Sequence, residues 1–401
     1  MIPFHEVALL IFLFGITFTL ILPSVCKDLG FSAYFVPSKA DKIVIDHAND
    51  LRVLKAKQTL RDLESSFNPD ENPAAKPNKR LRPFGIAKRD QLEFAIVVVS
   101  VRRRSNPRYL LQTAVRLMVE VQRDQGRSEI VIYNADEVSE SNSDAKFLSQ
   151  FVTVGNRSSL VAAKSDGDDI FEKEKMDYMG ALELGLRLGS HYVLVVQDDA
   201  LATSGILRKL RYVLKWKMPW KWLRSESKSW TFLKLYYPEK WQGFGNPEIP
   251  ELLAVGVLGA FCFVALRTKA KARKNLDVKV LFLWSGAGLL YFVLVAYTVG
   301  RAHWIEVRKL LPLFYGVGNA PGCCIPAVLF PAGQAVEMVK FLNRTNCRQG
   351  YPIDFAFDDF AKSKGLTGLL VSPNLFSHIG LHSSLHSYDK NPKEFKLLFE
   401  P

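Results

Sequence analysis

Continuous apolar runs, more than alternating ones, set the pattern of this chain. Glu93 to Val101 (EFAIVVVSV), Glu129 to Tyr133 (EIVIY) and Tyr192 to Val196 (YVLVV) each read as a strand buried on both faces. Between them, Tyr109 to Glu120 and Lys175 to Leu188 carry apolar residues at helical spacing. Strands alternating with helices predict an α/β fold with a parallel, doubly wound, Rossmann-like sheet. The pattern resumes late in the chain, where Ala327 to Phe330 predicts a strand and Ala332 to Leu342 and Pro352 to Phe360 predict helices.

Two longer runs, Ile249 to Leu266 and Val278 to Val299, interrupt it. They bracket a basic connector holding Arg267, Lys269, Lys271, Arg273, Lys274 and Lys279. That reads as a membrane hairpin with its loop in the cytosol. Val7 to Leu22 is a third apolar run; with no Lys or Arg before it and no clear A-x-A site after it, an uncleaved signal anchor is expected. The expected division is 1–26 cytosolic tip and anchor, 27–92 charged stem, 93–248 first catalytic part, 249–299 hairpin, and 300–401 second catalytic part. One anchor and one hairpin leave both catalytic parts in the same, lumenal compartment. The hairpin then interrupts a single fold.

Two features agree with a lumenal placement. Asn156 and Asn343 begin sequons on either side of the hairpin. Among the five cysteines, Cys323, Cys324 and Cys347 lie close in sequence, and Cys347 is expected to pair with Cys323 or Cys324. No C-x-x-C pair points to zinc. The formal charge of +13 invites a nucleic-acid reading. No recognition motif accompanies it, and a basic lumenal domain suits anionic partners such as nucleotide sugars or phosphate-bearing lipids.

The chemistry concentrates where the Tyr192 run ends in Gln197, Asp198 and Asp199. Ligands of open α/β sheets bind beyond the carboxyl ends of the strands. Adjacent carboxylates there call for a cation, and a divalent metal carrying a diphosphate supplies one. Arg102, Arg103 and Arg104 follow the first strand and Asp136 follows the second; the arginines could hold a diphosphate or line a solvated loop. His378, His382 and His386 recur in the tail, but Ser372-Pro373 and Gly380 oppose a continuous helix, so one histidine reaching the metal is expected. Asp354, Asp358 and Asp359 open a late helix and are candidate bases for a hydroxyl, Asp354 equally a helix cap. Lys209 to Lys240, basic and dense in Trp and Tyr, suits a membrane interface, a sugar-stacking floor or ordinary packing.

The VQDDA strand end, Gly322 to Pro331 (GCCIPAVLFP) and the hairpin splitting the domain resemble the GPI-anchor N-acetylgalactosaminyltransferase family, the post-GPI-attachment GalNAc transferases. Ser372 to Leu385 (SPNLFSHIGLHSSL) is similar to the related N-acetylglucosaminyltransferase IV family. The resemblance implies a multi-pass Golgi enzyme with a GT-A glycosyltransferase fold split by the hairpin. It implies Mn²⁺-dependent, inverting transfer of GalNAc from UDP-GalNAc to the first mannose of the GPI glycan. By matching position, Asp199 is the metal ligand with Asp198 beside it, His378 the late histidine ligand and Asp354 the base. The Arg102 to Arg104 run would lie near the nucleotide. Gln197 departs from the family's usual Glu-Asp-Asp and brings no charge. An N-glycan branching enzyme and a non-catalytic GPI-binding scaffold are the alternatives.

Overall fold

The computed structural model describes residues 3–67, 92–103, 105–157, 169–218, 230–270, 277–383 and 389–396. Helices α1 (Phe4–Cys26) and α2 (Asp41–Phe67) come first. Then follow β1 (Phe94–Ser100), α3 (Tyr109–Arg123), β2 (Ser128–Asn134), α4 (Ser143–Leu148), β3 (Thr153–Asn156), α5 (Ile170–Leu186), β4 (Tyr192–Gln197), β5 (Ala200–Ala202), α6 (Ile206–Tyr212) and β6 (Trp230–Lys234). The apolar pair α7 (Ile249–Ala270) and α8 (Val278–Val299) is followed by α9 (Arg301–Val307), β7 (Gly316–Asn319), β8 (Ala327–Pro331), α10 (Ala332–Leu342), α11 (Ile353–Ser363), β9 (Thr367–Ser372) and β10 (Phe376–His378).

The chain forms two compact units. One comprises Lys42–Tyr237 and Lys309–Lys390, the other Met1–Asp41, Pro238–Arg308 and Asn391–Glu400. The first holds an eight-stranded sheet in the order β3-β2-β1-β4-β8-β6-β9-β7. The expected parallel arrangement holds from β3 to β4. Beyond β4 the sheet turns mixed, because β8 runs antiparallel to both β4 and β6. The helix pair α7–α8 is inserted between β6 and β7 of this one sheet, as the interrupted sequence pattern predicts.

Both sheet faces are covered, which is why the central strands are continuously apolar. Phe94, Ile96, Val98, Leu194 and Val196 face one core, shared with α3 and with Leu60 and Leu63 of α2. Val97, Val131, Val193, Val195 and Phe330 face the other, shared with α5, α10 and α11. Each such side chain contributes about 1.5–3 kcal/mol when fully buried. These two cores hold the carboxyl ends of β1 and β4 side by side. Trp230 stacks on Tyr192 at 6.3 Å, so this end of the Trp-rich stretch is ordinary sheet packing, whereas Trp216 is exposed.

In the second unit, α1, α7 and α8 are long and apolar enough to cross a membrane. Gly259 and Gly288 bring α7 and α8 into backbone contact, each facing the other's carbonyl. Glu6, Arg267 and Trp284 form a buried cluster that ties α1 to both helices; Arg267 Nε and Trp284 Nε1 each donate to Glu6 Oε2 at 3.0 Å.

Candidate active site

Asp198 and Asp199 follow β4 directly, and both are buried. The cation between them is the guanidinium of Arg103, from the loop after β1. Its Nη2 lies 2.5 Å from Asp198 Oδ1 and 3.0 Å from Asp199 Oδ2. Arg103 is itself only 9% exposed, lies over the Tyr109 ring and donates through Nη1 to the His382 carbonyl at 2.7 Å. The other oxygen of Asp198 accepts from Ser100 Oγ at 3.2 Å. Asn142 Nδ2 donates to that same Ser100 Oγ, while Asn142 Oδ1 caps α4 by accepting from the Ala145 N–H. Thr113 of α3 donates to the Asp198 carbonyl at 2.7 Å. Neighbouring elements on both sides thus hold the acid pair in place.

His378 arrives by strand pairing. β10 runs antiparallel to β5 with His378 opposite Ala200, and the Ile379 N–H donates to the Asp199 carbonyl. Nε2 of His378 sits 3.2 Å from Asp199 Oδ2 and accepts from Lys390 Nζ at 2.8 Å. Burial keeps the imidazole neutral by lowering its pKa. Burial also pushes Asp199 upward, but the charge of Arg103 outweighs it, with Lys390 nearby, and the carboxyl is held well below the usual range. Gly380 lies so close to the Asp199 carboxylate that a Cβ there would overlap it.

Several expected site residues are placed otherwise. Asp198 has one oxygen on Arg103 and the other on Ser100. Arg102 is exposed, and only its backbone N–H meets Asp136, at 3.0 Å. Asp136 thereby fixes the turn after β1. Arg104 and His386 lie outside the described residues. His382 pairs with Asp389 at 2.7 Å, and Asp359 accepts from the Tyr351 hydroxyl. Asp354 Oδ2 accepts the Cys324 N–H at 3.0 Å, and Asp358 lies beside Gly322. Both bias the fully buried Lys234, whose Nζ donates to the carbonyls of Pro321 and Cys323. The expected pairing of Cys347 is corrected: Cys323 and Cys324 are joined to each other, and Cys347 is free and buried. Cys347 is packed into the core beneath α5, with its N–H on Glu172 at 2.8 Å. Asn343 is exposed just past α10, and Asn156 is half-buried at the sheet edge.

Two cavities meet at the acid pair. One of about 220 Å³ is lined by Arg102, Arg103, Arg108, Asn142 and Asp198 among others. The other, of about 410 Å³, is lined by Arg103, Gln197, Asp198, Asp199 and Lys390, and by Glu174, Asp177 and Tyr178 of α5. Sequence reasoning missed the α5 group. Burial, reinforced by Asp354 and Asp177, pushes Glu174 to about 7, and burial pushes Asp177 to about 7 as well.

Among the described residues, no three His, Cys, Asp or Glu side chains converge on one point. Asp199 Oδ1, however, is buried without a hydrogen-bond partner, and the neutral imidazole of His378 is beside the same carboxylate. That pair fits an ion whose remaining ligands are phosphate oxygens and water.

Paired acids and a clamping arginine at the carboxyl edge of an α/β sheet suit an enzyme that handles a phosphate-bearing ligand. The family model described as GPI-N-acetylgalactosamine transferase PGAP4 matches residues 94–377, and the chain belongs to that family. It is a glycosyltransferase, and its family implies a UDP-GalNAc donor and a GPI glycan acceptor. Among solved structures, the crystal structure of mannosyl-3-phosphoglycerate synthase from Rubrobacter xylanophilus is similar at 15% identity and a TM-score of 0.25, covering 64% of this chain and 93% of that one.

Proposed function

We propose that this chain transfers GalNAc from UDP-GalNAc to the first mannose of the GPI-anchor glycan, with inversion to a β linkage. The observation that carries the reading is the Asp198–Asp199 pair, clamped by Arg103 where two cavities meet at the end of β4. In this reading the basic cavity holding Arg102, Arg103 and Arg108 receives the UDP, and the cavity lined by Glu174 and Tyr178 receives the sugars. Arg103 keeps Asp198 and Asp199 ionised and presents its remaining charge to the diphosphate. Gln197, on the cavity wall, orients the donor by hydrogen bonds without adding charge.

Asp199 and His378 are the residues that would hold Mn²⁺. When bound, such an ion offsets the negative charge that grows on the departing diphosphate. The family resemblance puts the base at Asp354, with Asp358 one turn further along α11. We also place the enzyme in the Golgi membrane, with the sheet unit lumenal, an arrangement suited to an acceptor that is itself anchored in lipid. The sequons at Asn156 and Asn343 then lie in the compartment where glycosylation takes place.

The test is sugar transfer by purified protein in detergent onto a GPI-anchored acceptor, with UDP-GalNAc and UDP-GlcNAc offered separately. Transfer of GalNAc that disappears in Asp199→Ala supports the reading. With an N-glycan acceptor offered in parallel, transfer of GlcNAc alone onto that acceptor makes the chain a branching enzyme, and no transfer with no UDP binding makes it a scaffold.

A further inference from the structure

We propose that Glu174 and Tyr178 of α5 form the subsite for the acceptor's attacking hydroxyl, with Glu174 the group that takes its proton; this rests on the transferase reading above. The two residues are four apart, so they share one helix face. They line the same cavity as Asp198, Asp199 and Arg103. Helix α5 is fixed at its start by Asp169, which accepts the Phe171 N–H at 2.9 Å, and along its length by Tyr178, Met179, Ala181 and Leu182 in the second core. The subsite therefore stands on a rigid element.

Tyr178 supplies the observation that points to a ligand. Its side chain is only 3% exposed, and its hydroxyl has no hydrogen-bond partner. A buried polar group left unpaired costs about 1–3 kcal/mol, so natural sequences rarely keep one without a use. A sugar hydroxyl entering the cavity would give it a partner. Asp354, the base that the family resemblance implies, has one oxygen on the Cys324 N–H and is not among the residues that line this cavity. Its charge reaches both Glu174 and Tyr178 and raises the proton affinity of each. A carboxyl titrating at about 7 is matched to proton transfer near neutral pH.

In the step, an oxygen lone pair of the acceptor hydroxyl forms the new bond to the anomeric carbon of the donor sugar. The hydroxyl proton passes to the Glu174 carboxylate. The bond from the anomeric carbon to the diphosphate oxygen breaks, and its electron pair leaves with UDP. Glu174 then returns the proton to solvent. Tyr178 holds the acceptor oxygen in line by hydrogen bonding.

The experiment uses the full chain in detergent, with a GPI-anchored acceptor and UDP-GalNAc. Absence of transfer by the unmodified protein would count against the transferase reading itself, before any variant is compared. Given that activity, Glu174→Gln should lower kcat by at least 100-fold, while calorimetric affinity for UDP stays within three-fold and the melting temperature does not fall. Tyr178→Phe, close to isosteric, should raise the acceptor KM about ten-fold and leave the donor KM unchanged. Glu174→Gln retaining kcat within five-fold of the unmodified protein would overturn the proposal, as would an unchanged acceptor KM in Tyr178→Phe. Loss of kcat in Asp354→Asn with Glu174→Gln still active would return the role to Asp354.

Discussion

Removing the Glu174 charge should make the protein more stable above pH about 4.5, with the full gain reached at about pH 7 and higher. Burial, with Asp354 and Asp177 nearby, raises this carboxyl from 4.5 to about 7. Each pKa unit corresponds to 1.36 kcal/mol, so holding the ionised form in the fold costs about 3 kcal/mol. The folded state binds the proton more tightly than the unfolded chain. Stability is therefore unaffected below the unfolded pKa, falls as pH rises from about 4.5 to about 7, and stays lower above that window. Glu174→Gln keeps the shape of the protonated acid and never ionises. At pH 8 it should unfold about 3 kcal/mol less readily than the parent, and at pH 4.5 the two should be equal. With about 2–4 °C per kcal/mol for a domain of this size, the gain is roughly 6–12 °C in melting temperature. Differential scanning fluorimetry of both proteins at a series of pH values reads this directly. A variant that melts lower than the parent at pH 8, or whose advantage persists unchanged at pH 4.5, would refute the reasoning. A carboxylate kept in the fold at a cost to stability is kept for chemistry.

Other consequences of the geometry can be checked alongside. Arg103→Met leaves two buried carboxylates without their shared cation; it should destabilise the protein by about 3–5 kcal/mol in denaturant titration and weaken UDP binding by more than ten-fold. Gly380→Ala pushes a methyl group into the Asp199 carboxylate. It should abolish transfer while leaving the circular dichroism spectrum intact, because the change is confined to the loop after β10. Gly259→Leu forces apart the backbones of α7 and α8. The variant should lose a cysteine crosslink engineered across the two helices that the parent forms readily.

Much of the scaffold was legible from the apolar pattern. The runs Glu93 to Val101 and Tyr192 to Val196 read as strands covered on both faces, and the strands found there bring Arg103 and the acid pair to one edge. The long runs from Ile249 to Val299 were equally plain as a helix pair inserted into that sheet. The mixed half of the sheet was harder to read, since β7 and β9 are short and carry glycines at Gly316, Gly318 and Gly368. The cation between Asp198 and Asp199 was expected to be a metal, and the structure supplies a guanidinium from 95 residues earlier in the chain. Nothing local in the sequence announces that contact. The helical spacing from Lys175 to Leu188 singled out none of Glu174, Asp177 and Tyr178. Only the fold reveals that this stretch of α5 faces a cavity beside the acid pair. Cys347 was expected to pair with Cys323 or Cys324 by sequence proximity, whereas those two join each other and Cys347 is packed in the core as a free thiol.

Transfer of GalNAc to a GPI glycan at the Asp198–Asp199 edge is read by mass spectrometry of the GPI glycan on a reporter protein, in cells lacking the endogenous activity and supplied with either the parent chain or Asp199→Ala. The parent should add one N-acetylhexosamine, identified as GalNAc, to the first mannose, and the variant should add none. The same modification from Asp199→Ala, or its absence from both at equal expression, would rule out transfer at this edge.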